Sequence, residues 1–178
     1  MKVVLLVAVL GLALVTAGCG GDGDESSATP TDEWAEGYCA AIVDWANELK
    51  LATDELRDFR SLSQEAFEEA GGSISSATKT FTAELRALGA PDTESGERAR
   101  RAVGVFATRA ERDLRAIERA VESASGLTGI SQAVAPITAA LSSMNKAFTT
   151  MVASLGRIGP KDELQSALED AESCDDLQ

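Results

Sequence analysis

LTGISQAVAPITAALSSMNKAFTTMVASLGRI, residues 127–158, sets Leu127, Ile130, Val134, Ile137, Leu141, Met144, Phe148, Met151, Leu155 and Ile158 at alternating steps of three and four. Such spacing lies close to one helical turn, so all ten fall on one stripe of a long helix. A stripe of that length on one side needs other helices to cover it. Pro136 sits inside the run. It lacks the N–H that a helical turn uses and its ring crowds the carbonyl four residues back, which predicts a kink there.

The preceding stretches repeat the pattern. Val103, Phe106, Ala110, Leu114, Ile117, Val121 and Ala124 share one face of a third helix, which Gly126 closes. Phe67, Ala70, Ile74, Ala77, Phe81, Leu85 and Leu88 do the same for a second, with Ser61 or Ser63 as its cap and Gly89 and Pro91 as its stop. The period survives Gly71-Gly72, so this is one helix with a weak point, at about 1 kcal/mol per glycine relative to alanine. Tyr38, Ile42, Trp45, Leu49, Ala52, Leu56 and Phe59 form a heptad seam on a first helix beginning near Trp34. A short fifth helix starts at Pro160, with Leu164, Leu168 and Ala171 inward and Asp162 and Glu163 in the first turn, where acids suit the helix dipole.

Four long one-sided helices with short connections predict an all-α fold, an up-down-up-down four-helix bundle with a short C-terminal fifth helix. Helix four then ends where helix one begins, so the fifth helix lies at that base. The domain is expected over 34–178. Residues 20–33, GGDGDESSATPTDE, carry no apolar side chain larger than Ala or Pro and read as a flexible tether with a reach of roughly 20 Å.

The N-terminus begins Met1-Lys2, runs through mostly apolar residues from Val3 to Val15, and ends in Thr16-Ala17-Gly18-Cys19. A charged start, a short apolar core and small residues before a cysteine are the anatomy of an export signal. The run falls short of the roughly 20 apolar residues that a membrane span needs. Residues 1–19 resemble the lipobox signal of bacterial lipoproteins, although Thr16 stands where that family usually has Leu. The resemblance implies a signal peptide over 1–18, lipidation of Cys19, and a mature chain beginning with a lipid-anchored tether over 19–33 at the outer face of the cytoplasmic membrane. The alternative is an ordinary secretory signal that happens to end in a cysteine. The Ala-rich helices that follow are loosely similar to the small helical lipoproteins of high-GC Gram-positive bacteria, a likeness that transfers no site.

Three cysteines in an exported chain leave an odd one to explain. With Cys19 carrying lipid, Cys39 and Cys174 remain as an even pair in an oxidising compartment, and they are predicted to form a disulfide.

The formal net charge of −13 becomes −14 once Lys2 is removed with the signal. That balance disfavours nucleic acid and anionic membrane surfaces as partners and leaves lipid as the anchor. The chain has no histidine. Histidine-dependent nucleophilic sites, di-iron bundle ligands and histidine-ligated haem are therefore ruled out. Ser76-Ala77-Thr78-Lys79 and Ser143-Met144-Asn145-Lys146 match a Ser-x-x-Lys pattern, but no companion motif or α/β context accompanies them. The acids Glu169, Asp170, Glu172, Asp175 and Asp176 scatter around a helix end, so neither a metal nor another cofactor is expected.

Arg98, Arg101, Arg112, Arg115 and Arg119 lie opposite the seam of the third helix, with Glu97 and Glu111 each four residues before an arginine. They read as a solvated face laced with ion pairs, or as a partner strip for an anionic envelope polymer or an acidic protein. Trp34, Tyr38 and Trp45 fit the first seam as core, and stacking on a ligand is the alternative. The expected function is a non-catalytic interaction module at the cell envelope. The alternative is a solute or lipid carrier with a pocket between helices, for which Ala133, Ala135, Ala139 and Ala140 leave room on the fourth helix. A closed apolar cavity walled by Trp34, Trp45 and Phe148 would favour the carrier, and a filled core the module.

Overall fold

The computed structural model describes residues 28–55, 63–158 and 163–175. The expected lipid site at Cys19, the signal, most of the tether, Leu56, Phe59, Ser61, Pro160, Asp162 and Asp176 lie outside these residues. The described chain is helical almost throughout: α1 (Thr31–Glu55), α2 (Gln64–Ala87), α3 (Gly96–Ser123), α4 (Gly126–Leu155), α5 (Glu163–Asp170) and α6 (Glu172–Asp175). The first four make the up-down-up-down bundle and the last two lie at its base.

Ser63 caps α2 by accepting from the Ala66 N–H at 3.1 Å. Gly126, expected to close the third helix, instead opens the fourth. Its φ of 61° lies in the left-handed region that favours glycine, and it allows α3 to turn into α4 through residues 124 and 125 alone. Gln64 secures that corner from α2, donating to the Ala124 carbonyl at 3.0 Å and accepting from Gly126 N–H at 3.1 Å. Helix α4 runs through Pro136 as one element. Leu127, expected on the seam, is instead 66% exposed, whereas Ile130 one turn later is buried.

Tertiary contacts already begin before the expected boundary at residue 34. Thr29 is pinned to the α2–α3 connection, its N–H donating to the Ala90 carbonyl at 2.9 Å and its carbonyl accepting from Asp92 at 2.8 Å, and α1 starts at Thr31. Trp34 then lies fully buried, with Nε1 donating to the Gly89 carbonyl at 3.2 Å.

Helix α2 is continuous through Gly71-Gly72, and the two glycines differ in kind. A Cβ at Gly72 meets nothing within 4 Å, whereas one at Gly71 would sit 2.6 Å from Val121 Cγ2 on α3. Gly71 therefore sets a close approach of two helices and Gly72 is only a gap in propensity. Gly72→Ala should stabilise the protein by up to about 1 kcal/mol. Gly71→Ala, pressing on a stiff β-branched neighbour, should destabilise it by about 1–3 kcal/mol. Urea midpoints test both, and equal midpoints for the two variants would refute the close approach.

At the base, Cys39 and Cys174 are joined, with Cα atoms 5.0 Å apart across 135 residues of sequence. The fifth helix is shorter than predicted because the helical run breaks at Ala171 and resumes as α6. Glu36 of α1 holds the resumed turn, accepting from the N–H groups of Glu172 at 2.7 Å and Ser173 at 3.1 Å. Hydrogen bonding from Ser173, then from the Glu172 amide, holds the Glu36 carboxyl below the ordinary range. Leu164 is buried in the main core, while Ala167 and Ala171 pack on Ala35.

Candidate functional site

Neighbouring helices pack closely along α1–α2, α2–α3 and α3–α4, and α3–α4 is the most extensive contact. The fourth side of the bundle is different. Helices α1 and α4 stand apart, and a groove of about 730 Å³ runs between them. From α1 it takes Tyr38, Ile42, Trp45, Ala46, Leu49, Lys50, Thr53 and Asp54; from α4, Leu141, Met144, Asn145, Phe148 and Val152. The α1 wall spans sixteen helical steps from Tyr38 to Asp54, about 24 Å, and the α4 wall eleven from Leu141 to Val152, about 17 Å.

The walls follow from the heptad pattern. Tyr38, Ile42, Trp45 and Leu49 lie on the α1 seam and Leu141, Met144 and Phe148 on that of α4, so both helices turn an apolar stripe toward the gap. An aromatic cluster forms the floor. Trp45 stacks on Phe81 with centroids 4.5 Å apart, meets Phe106 edge-on at 6.1 Å and lies 5.8 Å from Phe148. Its Nε1 donates to Thr78 Oγ1 at 3.3 Å, which satisfies the indole in the interior. Trp45 is 8% exposed, so it serves both core and groove. Charge is confined to one end, where Lys50 and Asp54 stand on the last turns of α1.

Tyr38 closes the other end. It stacks on Trp34 at 5.1 Å and 9° and is 5% exposed, and its hydroxyl is a buried polar atom with no hydrogen-bond partner. Burial pushes the phenol above its ordinary range, so it stays protonated. A buried group of this kind is usually paired, and leaving it unpaired costs about 1–3 kcal/mol.

The aromatic triplet of the first helix is thus divided. Trp34 belongs to the core alone, while Tyr38 and Trp45 also wall the groove. Trp45 and Phe148 meet there as a carrier pocket would require, but the space is open along its side and Trp34 does not line it. Nor do the small residues of α4 line it. Ala133 and Ala140 are buried, Ala135 and Ala139 face outward, and none of the four borders the groove.

The five arginines of the expected strip are all exposed. Their pairing departs from the expected i,i+4 pattern. Glu97 binds Arg100 at 2.8 Å more closely than Arg101 at 3.9 Å, and Glu111 reaches across to Arg86 on α2. Hydrogen bonding from Arg86 holds the Glu111 carboxyl below its usual range, with a smaller contribution from Arg115. Arg112 donates through Nε and Nη2 to Asp113 Oδ1 at 3.0 and 2.9 Å. Asp113 is 6% exposed, and its Oδ2 has no partner. This buried acid was not anticipated, although its place three residues after Ala110 on the seam was the available signal.

Of the Ser-x-x-Lys stretches, Lys79 is tied on the surface to Glu118 at 2.7 Å, which also accepts from Ser75 at 2.7 Å. Among the described residues no three acidic or cysteine side chains converge as a metal site would need, and no helix is long and apolar enough to cross a membrane. No protein-family model, curated protein or solved structure matches the chain.

Proposed function

We propose that this chain is a non-catalytic carrier of an apolar solute or lipid, exported and held at the outer face of the cytoplasmic membrane by lipid on Cys19. The groove between α1 and α4 is the observation that carries the reading. Its volume lies within the roughly 300–1,000 Å³ of small-molecule sites, and its walls are mostly apolar and aromatic, with Asn145 a polar side chain midway along the α4 wall and the charged pair Lys50 and Asp54 at one end. An interaction module working through the arginine strip is less well supported, because Arg101 and Arg112 already engage carboxylates of their own helix.

Two measurements test the proposal. Growth with alkyne-palmitate should label the protein, and Cys19→Ala should abolish the label; a labelled Cys19→Ala protein would refute the anchor. Organic extraction of the full chain purified from its own membranes should release an apolar molecule in near-stoichiometric amount. Ala46→Trp, which fills the groove from an exposed position, should lose it. Equal recovery from this variant would place the molecule elsewhere and sink the carrier reading.

A further inference from the structure

Charge is unevenly shared around the bundle. In a protein of net charge −13, α1 holds seven acids and one lysine, whereas α3 and α4 together hold eight cations and five acids, and none of those acids is on α4. Four of the five are already engaged: Glu97 with Arg100, Glu111 and Glu118 across to Arg86 and Lys79 of α2, and Asp113 with Arg112. Arg98 and Arg109 have no carboxylate partner among the described residues. Glu33 and Asp44 of α1 have no cationic one, and all four side chains are exposed.

Helical spacing arranges these residues into two matching stripes. Glu33, Ala40 and Asp44 follow one another at steps of seven and four on the outward face of α1, and Arg98, Val105 and Arg109 do the same on α3. Val105 is 51% exposed in the middle of its stripe, beside a crevice of about 190 Å³ that Arg101 and Arg109 flank. Ala40, half-buried, leaves a shallow place in the middle of the other. The heights agree as well. Both helices rise from the base, where Thr29 is bonded to Ala90 and Asp92 and Gly96 lies against Pro91. Each trio then stands two, nine and thirteen residues above the start of its helix, about 3, 14 and 20 Å.

Position in the bundle decides how the stripes can meet. Helices α2 and α4 touch across the centre, which sets α1 and α3 at opposite outer corners, so a stripe cannot reach its counterpart in the same molecule. It can reach that of a neighbour. Setting α1 against α1 would bring acids onto acids, and α3 against α3 arginines onto arginines, both at a cost. We infer that the outward face of α3 docks on the outward face of α1 of a second copy, axes parallel and bases level, with Arg98 on Glu33, Val105 on Ala40 and Arg109 on Asp44. The two faces differ, so a pair of copies still has one of each unused and the contact extends beyond a dimer. Copies held by their bases at one surface meet in this orientation. Exposed ion pairs are individually weak, so the assembly should form where copies are concentrated and not in dilute solution. None of the six residues lines the α1–α4 groove, so the inference stands apart from the carrier reading.

Photo-cross-linking of the full chain in intact cells provides the test. A benzoylphenylalanine in place of Val105, or of exposed Thr108 one turn further on, should on irradiation yield dimers and longer multiples whose adducts map to α1 between Glu33 and Glu48. Arg109→Glu and Asp44→Arg change exposed, unpaired side chains and leave the fold intact. Each should lower the yield about tenfold, because an ion pair becomes a repulsion. Both changes in one chain restore an opposite pair and should recover most of the yield. Adducts on α3 of a second copy would show a symmetric pairing, and adducts on a different polypeptide or on an anionic polymer would give the arginine face another acidic partner; either result overturns the inference. So does a protein that stays monomeric, or a double variant that cross-links no better than the single ones.

Discussion

Replacing both Cys39 and Cys174 by alanine should lower the unfolding free energy by about 5 kcal/mol, the largest single effect expected in this molecule. The bond closes a loop of 135 residues, and constraint of the unfolded chain by a loop of that order is worth about 5 kcal/mol in the chain-entropy description. For a domain of this size 1 kcal/mol moves the melting temperature by roughly 2–4 °C, so a fall of about 10–20 °C is expected by calorimetry. Reduction of the unmodified protein should reproduce the fall. The loss begins at the base, where α6 has no buried residue of its own and is held to α1 by this bond and by Glu36. A decrease of under about 1 kcal/mol would mean that the unfolded chain is already compact, and it would overturn the estimate.

Trp45→Ala should cost about 3–5 kcal/mol, the range for truncating a large buried aromatic. Trp45 contacts Phe81, Phe106 and Phe148 at once, so its removal opens the place where all four long helices meet. Trp45→Phe keeps a ring but withdraws the N–H from Thr78, and should cost nearer 1 kcal/mol. Urea unfolding followed by circular dichroism distinguishes them, and an alanine variant within 1 kcal/mol of the phenylalanine one would show that the cluster is not tightly packed. Together with loss of the disulfide, the alanine change would consume most of the roughly 5–15 kcal/mol that a domain commands, so the doubly weakened protein should not remain folded at 37 °C.

Much of the bundle was readable from side-chain period. Phe67, Ile74, Phe81 and Leu85 on α2, Val103, Phe106, Leu114 and Ile117 on α3, and Ile130, Met144, Met151 and Leu155 on α4 all lie buried where the spacing placed them. The boundaries were less readable. Thr29 through Glu33 looked like linker because they lack apolar side chains, yet α1 begins at Thr31 and Thr29 is fixed by backbone hydrogen bonds to Ala90 and Asp92, 61 and 63 residues away, which no local pattern encodes. The ion pairs of α3 were half right. Spacing identifies charges that share a helix face, but it does not weigh an intrahelical partner against one on the next helix, as with Glu111 and Arg86.

By itself, the sequence determined that the chain forms four long helices with single apolar stripes, that Cys39 and Cys174 are partners, and that histidine chemistry is absent. Each follows from periodicity, pairing or composition, which are properties of the chain read in order. The tertiary structure alone decided that one side of the bundle stays open. A seam residue faces inward whether or not another helix reaches it, and the reach depends on helix separations of about 8–10 Å set by the side chains at every other contact. Buried alanines on both α3 and α4, among them Ala107, Ala110, Ala133 and Ala140, bring those two helices together. That packing leaves α4 apart from α1, and the groove with Tyr38 at its base is the result.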